Sequence, residues 1–397
     1  MPPVSPALAL AALCAAAASG AVSTVSNIAP RRTSDGAIID AHDGNVIQDP
    51  HTPGLYYYFA AGYGDCREPP GRNGCASWCD GCGCGFFYNH SVNVYSTTDF
   101  ATWTAHGNVL PLGFPRPNSV LFSPKALYNA AANNGKGEWV LWYNLMPPYN
   151  YAVAVSPSPF GPFLTISNQT AASTEFGHKA NNSDCGDFSL FADDDGTAYI
   201  LYSSGAHVQA ERLTADYYQS TWITDGATSG VFPRGNEAPA MFKNQGIYYA
   251  LISNSCCYCG QGGAVQAYQA FAPLGPYNFT GEITVGPNPF GTGDVTTSSQ
   301  QTNVFRVGSQ LVWQGDRCAS QRRARWSQPA PSPRAPARAS LSPGTRALHL
   351  PPPLAGQSAP APNRFKGEDF TSMFVLEFGA GGVIQNITWQ DTIQISV

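Results

Sequence analysis

Three carboxylates of this sequence open similar strand-turn-strand segments, where they could perform acid–base chemistry. Asp43 opens DGNVIQDPHTPGLYYYFA, Asp187 opens DFSLFADDDGTAYILYS, and Glu237 opens EAPAMFKNQGIYYALIS. Ser123 opens a fourth segment of this kind and Gln300 a fifth. Hydrolysis of a glycosidic bond with inversion requires one carboxyl group that protonates the leaving oxygen and a second that activates water. These residue types suit that reaction, provided that the fold brings them together.

The segments that carry these residues predict an all-β fold. Each has an apolar strand, a turn that contains glycine and an aromatic-rich strand, and the segments begin 50–80 residues apart. A repeat of this length, with one sheet per repeat, indicates radial repetition. The 40 glycines and the charged fraction of only 12% fit the same fold class. We predict a five-bladed β-propeller with a central axial carboxylate pocket, in which the three carboxylates hold the same position in their blades.

The three carboxylates can be assigned different roles. Glu237 has the longer side chain and is the candidate general acid. Proton donation near neutral pH needs a raised pKa, which a neighbouring carboxylate supplies, and Asp187 is the candidate neighbour. Asp43 is the candidate general base. The alternative is that such residues only cap backbone N–H groups at strand ends. A capping role explains the acidic turn DDDG well, but it explains three matching segment heads poorly.

Three motifs that contain these residues resemble those of a known family. AHDGNVI, GDFSLFADDDGTAYILYSS and GNEAPAMFKNQGIYYALIS are similar to the first-, third- and fourth-blade motifs of the five-bladed propeller glycosidases of glycoside hydrolase family 43. The resemblance covers about residues 38–318 and 363–397. It implies that Asp43 is the base, that Asp187 modulates a pKa and that Glu237 is the general acid.

Four shorter motifs, AHDG, SPKALYN, SSQQT and QGDR, are similar to the exo-β-1,3-galactanase branch of that family. Gln300 matches a glutamine to which that branch assigns a base-like role. The branch commonly has Gly where this chain has Asp43, and a Glu-Arg pair where it has Phe122 and Ser123. These departures argue against β-1,3-galactan and leave two candidates for the base. We prefer Asp43, because a carboxylate accepts a proton more readily than an amide, and we expect Gln300 to donate hydrogen bonds to sugar or water.

Other residues are candidates for substrate binding. Trp142, Tyr202 and Trp313 could stack on sugar faces, although each also fits the core of a strand. Arg317 could line the pocket with Asp316, or the two could close the last blade. Some family members hold a central calcium close to a histidine, but this sequence has no metal-ligand spacing. We therefore predict neither a metal ligand nor a required cofactor.

The N-terminal residues and the cysteines indicate an extracellular protein. Residues 1–20 include ALALAALCAAAASG and resemble a secretory signal peptide, although no Lys or Arg precedes the apolar stretch. Of eleven cysteines, five crowd residues 66–84 and three crowd residues 256–259. We predict disulfides in an oxidising compartment, with a zinc site as the alternative. Glycosylation sequons begin at Asn89, Asn168, Asn181, Asn278 and Asn386.

One segment departs from the repeat pattern. Blades 1–5 are expected within residues 35–318, and the end of blade 5 at 363–397. The intervening residues 319–362 contain ten Pro and six Arg but no Asp or Glu, so we expect them to be disordered. They are either a surface linker or a gene-model error, such as an intron that was read through. We favour the gene-model error. Without those six arginines the net charge of −5 becomes −11, which argues against polyanionic partners.

Together these features predict a secreted, monomeric glycosidase that cleaves plant- or algal-type polysaccharide with inversion. Galactan, arabinan and xylan side chains are the candidate substrates, and neither nucleic acid nor membrane is an expected partner. The alternative is a non-catalytic carbohydrate-binding propeller, which the presence of all three carboxylates disfavours. A protein-interaction scaffold is disfavoured because the chain has no WD or kelch signature.

Overall fold

The computed structural model describes residues 21–64, 90–111, 119–146, 150–166, 185–204, 207–254, 263–289, 294–297, 299–317 and 370–397. The predicted signal peptide, both cysteine clusters, the sequons at Asn89, Asn168 and Asn181, and the insert at 319–362 lie outside these residues. Cys185, which lies in a strand, is the one cysteine within the described part of the chain.

Five sheets form the body of the described structure, and all their strands pair antiparallel except one at the edge of blade 1. Blade 1 contains β3 (His42–Gln48), β4 (Tyr56–Gly62), β5 (Ser91–Thr97) and β6 (Thr102–Asn108), with β2 (Arg32–Thr33) added in parallel at the edge. Blade 2 contains β7 (Val120–Asn129), β8 (Glu138–Met146), β9 (Asn150–Ser156) and β10 (Leu164–Thr165). Blade 3 contains β11 (Cys185–Ala192), β12 (Ala198–Ser204) and β13 (His207–Arg212).

The remaining two blades complete the ring. Blade 4 contains β14 (Glu237–Asn244), β15 (Ile247–Asn254), β16 (Ala264–Ala270) and β17 (Asn278–Glu282). Blade 5 contains β18 (Gln300–Val307), β19 (Gln310–Arg317) and β20 (Phe370–Val375). A terminal ribbon pairs β1 (Val22–Ser26) with β21 (Thr392–Ser396). Short helical turns occur at α1 (Ala132–Gly135), α2 (Trp222–Asp225) and a 3-10 turn (Ala380–Gly382).

The innermost strands β3, β7, β11, β14 and β18 contact one another in this order, and β18 returns to contact β3. This closed ring confirms the prediction of an all-β, five-bladed propeller. Aromatic and aliphatic side chains from facing blades fill the space between the sheets, as Trp142, Tyr151 and Phe188 do between blades 2 and 3. Packing of this kind removes apolar surface from water and fixes the inner strands around the axis.

The ring is closed by a buried asparagine beside the terminal ribbon. The side chain of Asn27 donates from Nδ2 to the carbonyl oxygen of Met373 over 2.7 Å and accepts at Oδ1 from the Met373 N–H over 2.8 Å. Its backbone N–H donates to the carbonyl of Asp391. Asn27 therefore pairs with β20 as a strand residue would, and joins the first described residues to the last blade.

Candidate active site

A bulge interrupts each of the five inner strands near its first residue. In β3, Asp43 and Gly44 together lie opposite the single residue Ala60, because the regular pairs on either side are His42–Ala61 and Asn45–Phe59. Register shifts occur at the corresponding places in β7, β11, β14 and β18. A bulge of this kind bends the strand and redirects the side chains around it. The start of every inner strand is thus shaped to project groups into the axis.

The prediction that the three carboxylates hold the same position in their blades is wrong. Glu237 is the last regular pair before its bulge, Asp43 is the first residue of its bulge, and Asp187 is the second residue of its bulge. Sequence spacing from a turn does not reveal where the extra residue of a bulge falls, so the three heads look equivalent in the sequence.

The first residue of three of these bulges has left-handed backbone geometry. The φ angles are 54° at Asp43, 45° at Ser123 and 47° at Ala238. Such angles are unfavourable for residues other than glycine and persist only where the surrounding structure imposes them. These angles recur in blades 1, 2 and 4. The packing of the inner strands therefore holds the backbone at these bulges in a strained conformation.

The bulges surround a narrow axial cavity. Its lining includes side chains or backbone of Asp43, Lys125, Asp187, Gln300 and Thr302, so that blades 1, 2, 3 and 5 all contribute, and blade 4 adds the two residues that follow Glu237. The structure thus brings two of the predicted catalytic carboxylates and Gln300 to one cavity, and Glu237 directly precedes the two blade 4 residues that line it.

Asp187 lies at the centre of this group. Its Oδ2 atom accepts hydrogen bonds from the Ala238 N–H over 3.2 Å and from Gln300 Nε2 over 3.1 Å. Burial, followed by the charges of Glu237 and Asp43, raises the pKa of Asp187 to about 7 against the opposing effect of Lys125. Asp187 is therefore close enough to both other carboxylates to be coupled to them electrostatically.

Asp43 is held on three sides. Its Oδ2 atom accepts a hydrogen bond from the hydroxyl of Tyr63 over 3.1 Å. Its backbone N–H donates to Oδ2 of Asp316 over 2.6 Å, and its carbonyl oxygen accepts from Nζ of Lys125 over 3.0 Å. These contacts fix both the backbone and the carboxylate of Asp43.

Lys125 is a site residue that the sequence reasoning missed. Its side chain is buried, and Nζ donates to the carbonyl oxygens of Asp43, Gly44 and Thr302 over 3.0, 3.2 and 2.9 Å. Burial lowers the pKa of Lys125 to about 8, although nearby carboxylates, Asp43 first among them, favour its charged form. The lysine ties blade 2 to the bulges of blades 1 and 5. Its place in SPKALYN, two residues after the segment head, was the available signal.

Tyr63 is a second site residue that the sequence reasoning missed. Its backbone N–H donates to Oδ1 of Asp40 over 2.9 Å, and its ring packs on that of His42 at 4.5 Å between centroids. His42 in turn contacts Asp40 through Nε2 over 3.1 Å. Asp40 and His42 lie just before Asp43, so AHDG was the local signal for the group that orients Tyr63.

Gln300 differs from the prediction in one respect. Its Nε2 atom, expected to donate to sugar or water, donates instead to Asp187, whereas the buried Oε1 atom has no partner. The free group of this amide is therefore an acceptor. It can receive a hydrogen bond from a hydroxyl group that enters the cavity.

The aromatic residues predicted to stack on sugar belong to the core. Trp142, Tyr202 and Trp313 are fully buried among facing blades. Nε1 of Trp142 donates to the Tyr217 carbonyl over 2.8 Å, and Nε1 of Trp313 donates to Oε1 of Gln301 over 2.8 Å. The Tyr202 hydroxyl donates to a buried glutamate over 2.8 Å. Each ring packs between sheets with its polar atom satisfied inside the protein, so none presents a face to the cavity.

Arg317 also serves the closure of the ring rather than the cavity. Nη1 donates to the carbonyl oxygen of Asn27 over 2.6 Å, and the guanidinium lies 5.0 Å from the centre of the Trp389 ring. Its predicted companion Asp316 turns towards the Asp43 backbone. Of the two alternatives for QGDR, the structure therefore favours closure of the last blade for Arg317 and support of the site for Asp316.

Within the described residues, no group of three or more His, Cys, Asp or Glu side chains is arranged to hold a metal ion. The same part of the chain has no helix that is both long enough and apolar enough to span a membrane.

The family assignment follows from the sequence match. The family described as Glycosyl hydrolases family 43 matches residues 83–302, more than half of the chain. This chain belongs to glycosyl hydrolase family 43. It is therefore a glycosidase, and the predicted resemblance is confirmed. No match is found among curated protein sequences.

Solved structures of family 43 proteins share the propeller. An exo-β-1,3-galactanase from Phanerochaete chrysosporium, solved with galactose, is 19% identical over 93% of this chain and 67% of its own, with a TM-score of 0.60. The exo-β-1,3-galactanase from Clostridium thermocellum is 18% identical over 94% and 67%, with a TM-score of 0.63. A family 43 β-1,3-galactosidase bound to galactodeoxynojirimycin is 22% identical over 92% and 99%, with a TM-score of 0.61. At these identities the likeness establishes the fold.

Proposed function

We propose that this family 43 glycosidase is an inverting enzyme in which Glu237 is the general acid, Asp43 the general base and Asp187 the residue that tunes the acid. The observation that carries the proposal is the place of Asp187, whose carboxyl group is influenced by the charges of both Glu237 and Asp43. An inverting mechanism needs an acid and a base on opposite faces of the sugar, and a third carboxylate can modulate their protonation.

The coupling between Asp187 and Glu237 supports the acid role. Two neighbouring carboxylates repel each other when both are ionised, so the pair retains a proton at a higher pH than an isolated carboxyl group would. Glu237 is the first residue of β14 and precedes Ala238, whose N–H donates a hydrogen bond to Asp187. A retained proton at this pair can be delivered to the glycosidic oxygen as the bond breaks.

The contacts of Asp43 and Gln300 support Asp43 as the base. Tyr63 orients one carboxylate oxygen of Asp43, and Lys125 and Asp316 fix its backbone. The amide donor of Gln300 is already engaged by Asp187. We therefore assign Gln300 a positioning role towards Asp187, together with acceptance of a hydrogen bond from a substrate hydroxyl.

We further propose β-1,3-linked galactan as the first candidate substrate. Exo-β-1,3-galactanases recur among the similar solved structures, including a variant of the Phanerochaete chrysosporium enzyme bound to β-1,3-galactotriose. Arabinan and arabinoxylan are the next candidates, because a β-xylosidase/α-arabinofuranosidase shares the fold at 16% identity and a TM-score of 0.56. The galactanase branch has a Glu-Arg pair where this chain has Phe122 and Ser123. Because of this difference, arabinan and arabinoxylan are tested beside β-1,3-galactan.

Secretion as a monomeric glycoprotein is part of the same proposal. It is supported by the N-terminal sequence and by the exposure of both described sequon asparagines, Asn278 and Asn386. A polysaccharide substrate, too large to enter a cell, fits that location.

The proposal is tested with a panel of β-1,3-galactan, arabinan and arabinoxylan, each incubated with the wild type and with Glu237→Gln. We expect the wild type to release sugar from one polysaccharide and the variant to lose that activity. Binding of a polysaccharide without release of sugar by the wild type would instead support a carbohydrate-binding propeller.

A further inference from the structure

A buried arginine lies where the last blade meets the first. Arg31 is only 5% exposed and directly precedes β2, and its carbonyl oxygen accepts a hydrogen bond from the Ile39 N–H over 3.1 Å. Its Nη1 atom donates to the hydroxyl oxygen of Thr371 over 2.6 Å and also to the carbonyl oxygen of that residue. Because Thr371 belongs to β20 of blade 5, Arg31 joins the segment that enters blade 1 to the last blade.

Thr371 lies in a row of paired residues that leads to the axial cavity. In the register of blade 5, Thr371 of β20 pairs with Asp316 of β19, and Asp316 pairs with Gln300 of β18. Residues paired in this way have Cβ atoms about 4.5–5.5 Å apart on one face of the sheet. Asp316 accepts the backbone N–H of Asp43 at Oδ2 over 2.6 Å. Asp316 is therefore the neighbour both of the residue that binds Arg31 and of the proposed base.

Arg31 carries a buried positive charge that few hydrogen bonds stabilise. Its Nε and Nη2 atoms have no partner within the described part of the chain. Burial lowers the pKa of Arg31 to about 10, whereas the charges of Tyr58 and Asp316 oppose this change. Burial also raises the pKa of the Tyr58 hydroxyl well above its usual value, so Tyr58 is neutral at pH 7. Asp316 is therefore the group whose negative charge offsets the charge of Arg31 at this pH.

The contacts of Arg31 differ from those of an arginine that serves only as a structural tie. Buried donors in native proteins are nearly always paired, because an unpaired donor costs free energy. Arg31 bonds through one of its three side-chain nitrogen atoms. An uncharged glutamine could donate to Thr371 as well, so these bonds alone do not account for an arginine at this position. A need for positive charge beside Asp316 does account for it.

Asp316 has two opposing effects on Asp43. Its carboxylate fixes the backbone of Asp43 in the bulge, where φ is 54°. A carboxylate so close to a second one also opposes the ionisation of that second group, and a general base must be ionised to accept a proton. Lys125 interacts with the charges of both carboxylates, and Arg31 adds a second positive charge beside Asp316.

We propose that Arg31 is a positioning residue of the catalytic site. As the counter-charge of Asp316, Arg31 allows Asp316 to hold the backbone of Asp43 without preventing the ionisation of the Asp43 side chain. Arg31 acts through Asp316 and does not touch the substrate. This inference rests on the proposed function, in which Asp43 is the general base.

The proposal predicts how the charges around Asp43 set the pH dependence of catalysis. Asp43 is faced by Lys125 of blade 2, Asp187 of blade 3, Asp316 of blade 5, Tyr58 in β4 and Tyr63 just after that strand. Loss of the positive charge of Arg31 should make Asp43 harder to ionise, and loss of the negative charge of Asp316 should make it easier. Loss of both charges together should leave the balance near that of the wild type.

Four substitutions test the proposal. Arg31→Gln removes the positive charge but keeps an N–H donor, whereas Arg31→Lys keeps the charge. Asp316→Asn removes the negative charge but keeps an acceptor for the Asp43 N–H, and it is made alone and together with Arg31→Gln. Arg317→Gln is the matched control, because Arg317 is also a buried arginine but, as the next residue after Asp316, points to the opposite face of β19. Denaturation by urea checks that each variant is folded.

The pH dependence of kcat/KM is measured on whichever of β-1,3-galactotriose, arabinotriose and xylotriose the wild type cleaves. The acid limb of this profile reports the ionisation of the base. We expect Arg31→Gln to move the acid limb upward by about one pH unit, which lowers kcat/KM about tenfold at a fixed pH on that limb. Arg31→Lys and the double variant should stay close to the wild type, and Asp316→Asn should move the limb downward. Arg317→Gln should lower stability without moving it.

An acid limb that stays in place in Arg31→Gln would overturn the inference, as would an equal shift in Arg317→Gln or a double variant that behaves like Arg31→Gln. If Arg31→Gln does not fold, the double variant replaces it, because that variant leaves no unpaired buried charge. Its limb should then lie above that of Asp316→Asn, and coincidence of the two limbs would overturn the inference.

The same experiment separates this inference from the proposed function. If the wild type cleaves none of the trisaccharides, or if Asp43→Asn retains activity, the proposed function fails and the role of Arg31 fails with it. An inactive Asp43→Asn variant combined with an unmoved limb in Arg31→Gln rejects the role of Arg31 alone.

Discussion

Gln300 donates a hydrogen bond from Nε2 to Oδ2 of Asp187 over 3.1 Å, and so joins blade 5 to blade 3 across the propeller axis. The same oxygen accepts the N–H of Ala238 in blade 4. Blades 4 and 5 therefore orient the carboxyl group of Asp187. Burial and the charges of two carboxylates oppose its ionisation in this position. The protonation of Asp187 therefore depends on how blades 4 and 5 are positioned around it.

Asp187→Asn should change how stability depends on pH. The pKa of Asp187 is about 7 in the folded protein, above its ordinary value of 3.8, so the folded state binds this proton more tightly than the unfolded state. The stability gained in this way is complete below about pH 4 and is lost as the pH rises through 7. The free energy of unfolding of the variant minus that of the wild type should therefore be larger at pH 8 than at pH 4.

Urea denaturation at both pH values measures this difference, with Asp294→Asn, an exposed position, as the control. Equal differences between Asp187→Asn and the wild type at pH 4 and pH 8 would show that Asp187 has no such coupling.

Lys125→Met should destabilise the protein and reduce activity. The substitution leaves the carbonyl oxygens of Asp43, Gly44 and Thr302 without their buried donor, at a cost of about 3 kcal/mol or more. It also releases the bulge that carries the proposed base, so kcat should fall at least tenfold. The exposed Lys136→Met is the matched control and should stay within about 0.5 kcal/mol of the wild type. A Lys125→Met enzyme with wild-type stability would contradict the role given to this lysine.

Asn27→Ala should weaken the closure of the ring. The variant loses the hydrogen bonds of the Asn27 side chain with both backbone groups of Met373 and with the Gln390 carbonyl. We expect a loss of about 2–4 kcal/mol in the free energy of unfolding, because both groups of Met373 remain buried. Denaturant unfolding of the variant and of Asn386→Ala, an exposed asparagine with one such bond, provides the comparison. Similar losses in the two variants would argue against a special role for Asn27.

Trp142→Phe should affect stability and leave catalysis intact. Trp142 is buried in the core between blades 2 and 3, and its Nε1 donates to the Tyr217 carbonyl. We expect a loss of about 1–3 kcal/mol in the free energy of unfolding, while KM stays within about twofold of the wild-type value. A large increase in KM with unchanged stability would restore Trp142 as a substrate contact.

The fold and the main residues of the site could be predicted from the sequence because both depend on short, repeated sequence patterns. Apolar strands followed by glycine turns and aromatic strands recur five times, and only radial closure accommodates such a series readily. The same pattern predicts the heads Asp43, Asp187, Glu237 and Gln300, since each lies at or near the start of an inner strand.

The remaining features depend on contacts between distant segments. Lys125 binds backbone carbonyl oxygens of two other blades, and carbonyl groups leave no signature in a sequence. Register likewise decides that Asp43 and Asp187 occupy different places in their bulges. Trp142 and Trp313 were ambiguous because a ring suited to sugar stacking is equally suited to the space between two sheets.

The measurement that tests the central claim most directly is the NMR-monitored hydrolysis of β-1,3-galactotriose by the wild type and by Glu237→Gln. Inversion of a β-linked substrate should release galactose first as the α-anomer, and loss of the general acid should slow this release by about 10²–10⁴-fold. Initial release of the β-anomer, or equal rates for the two proteins, would contradict an inverting mechanism with Glu237 as its acid.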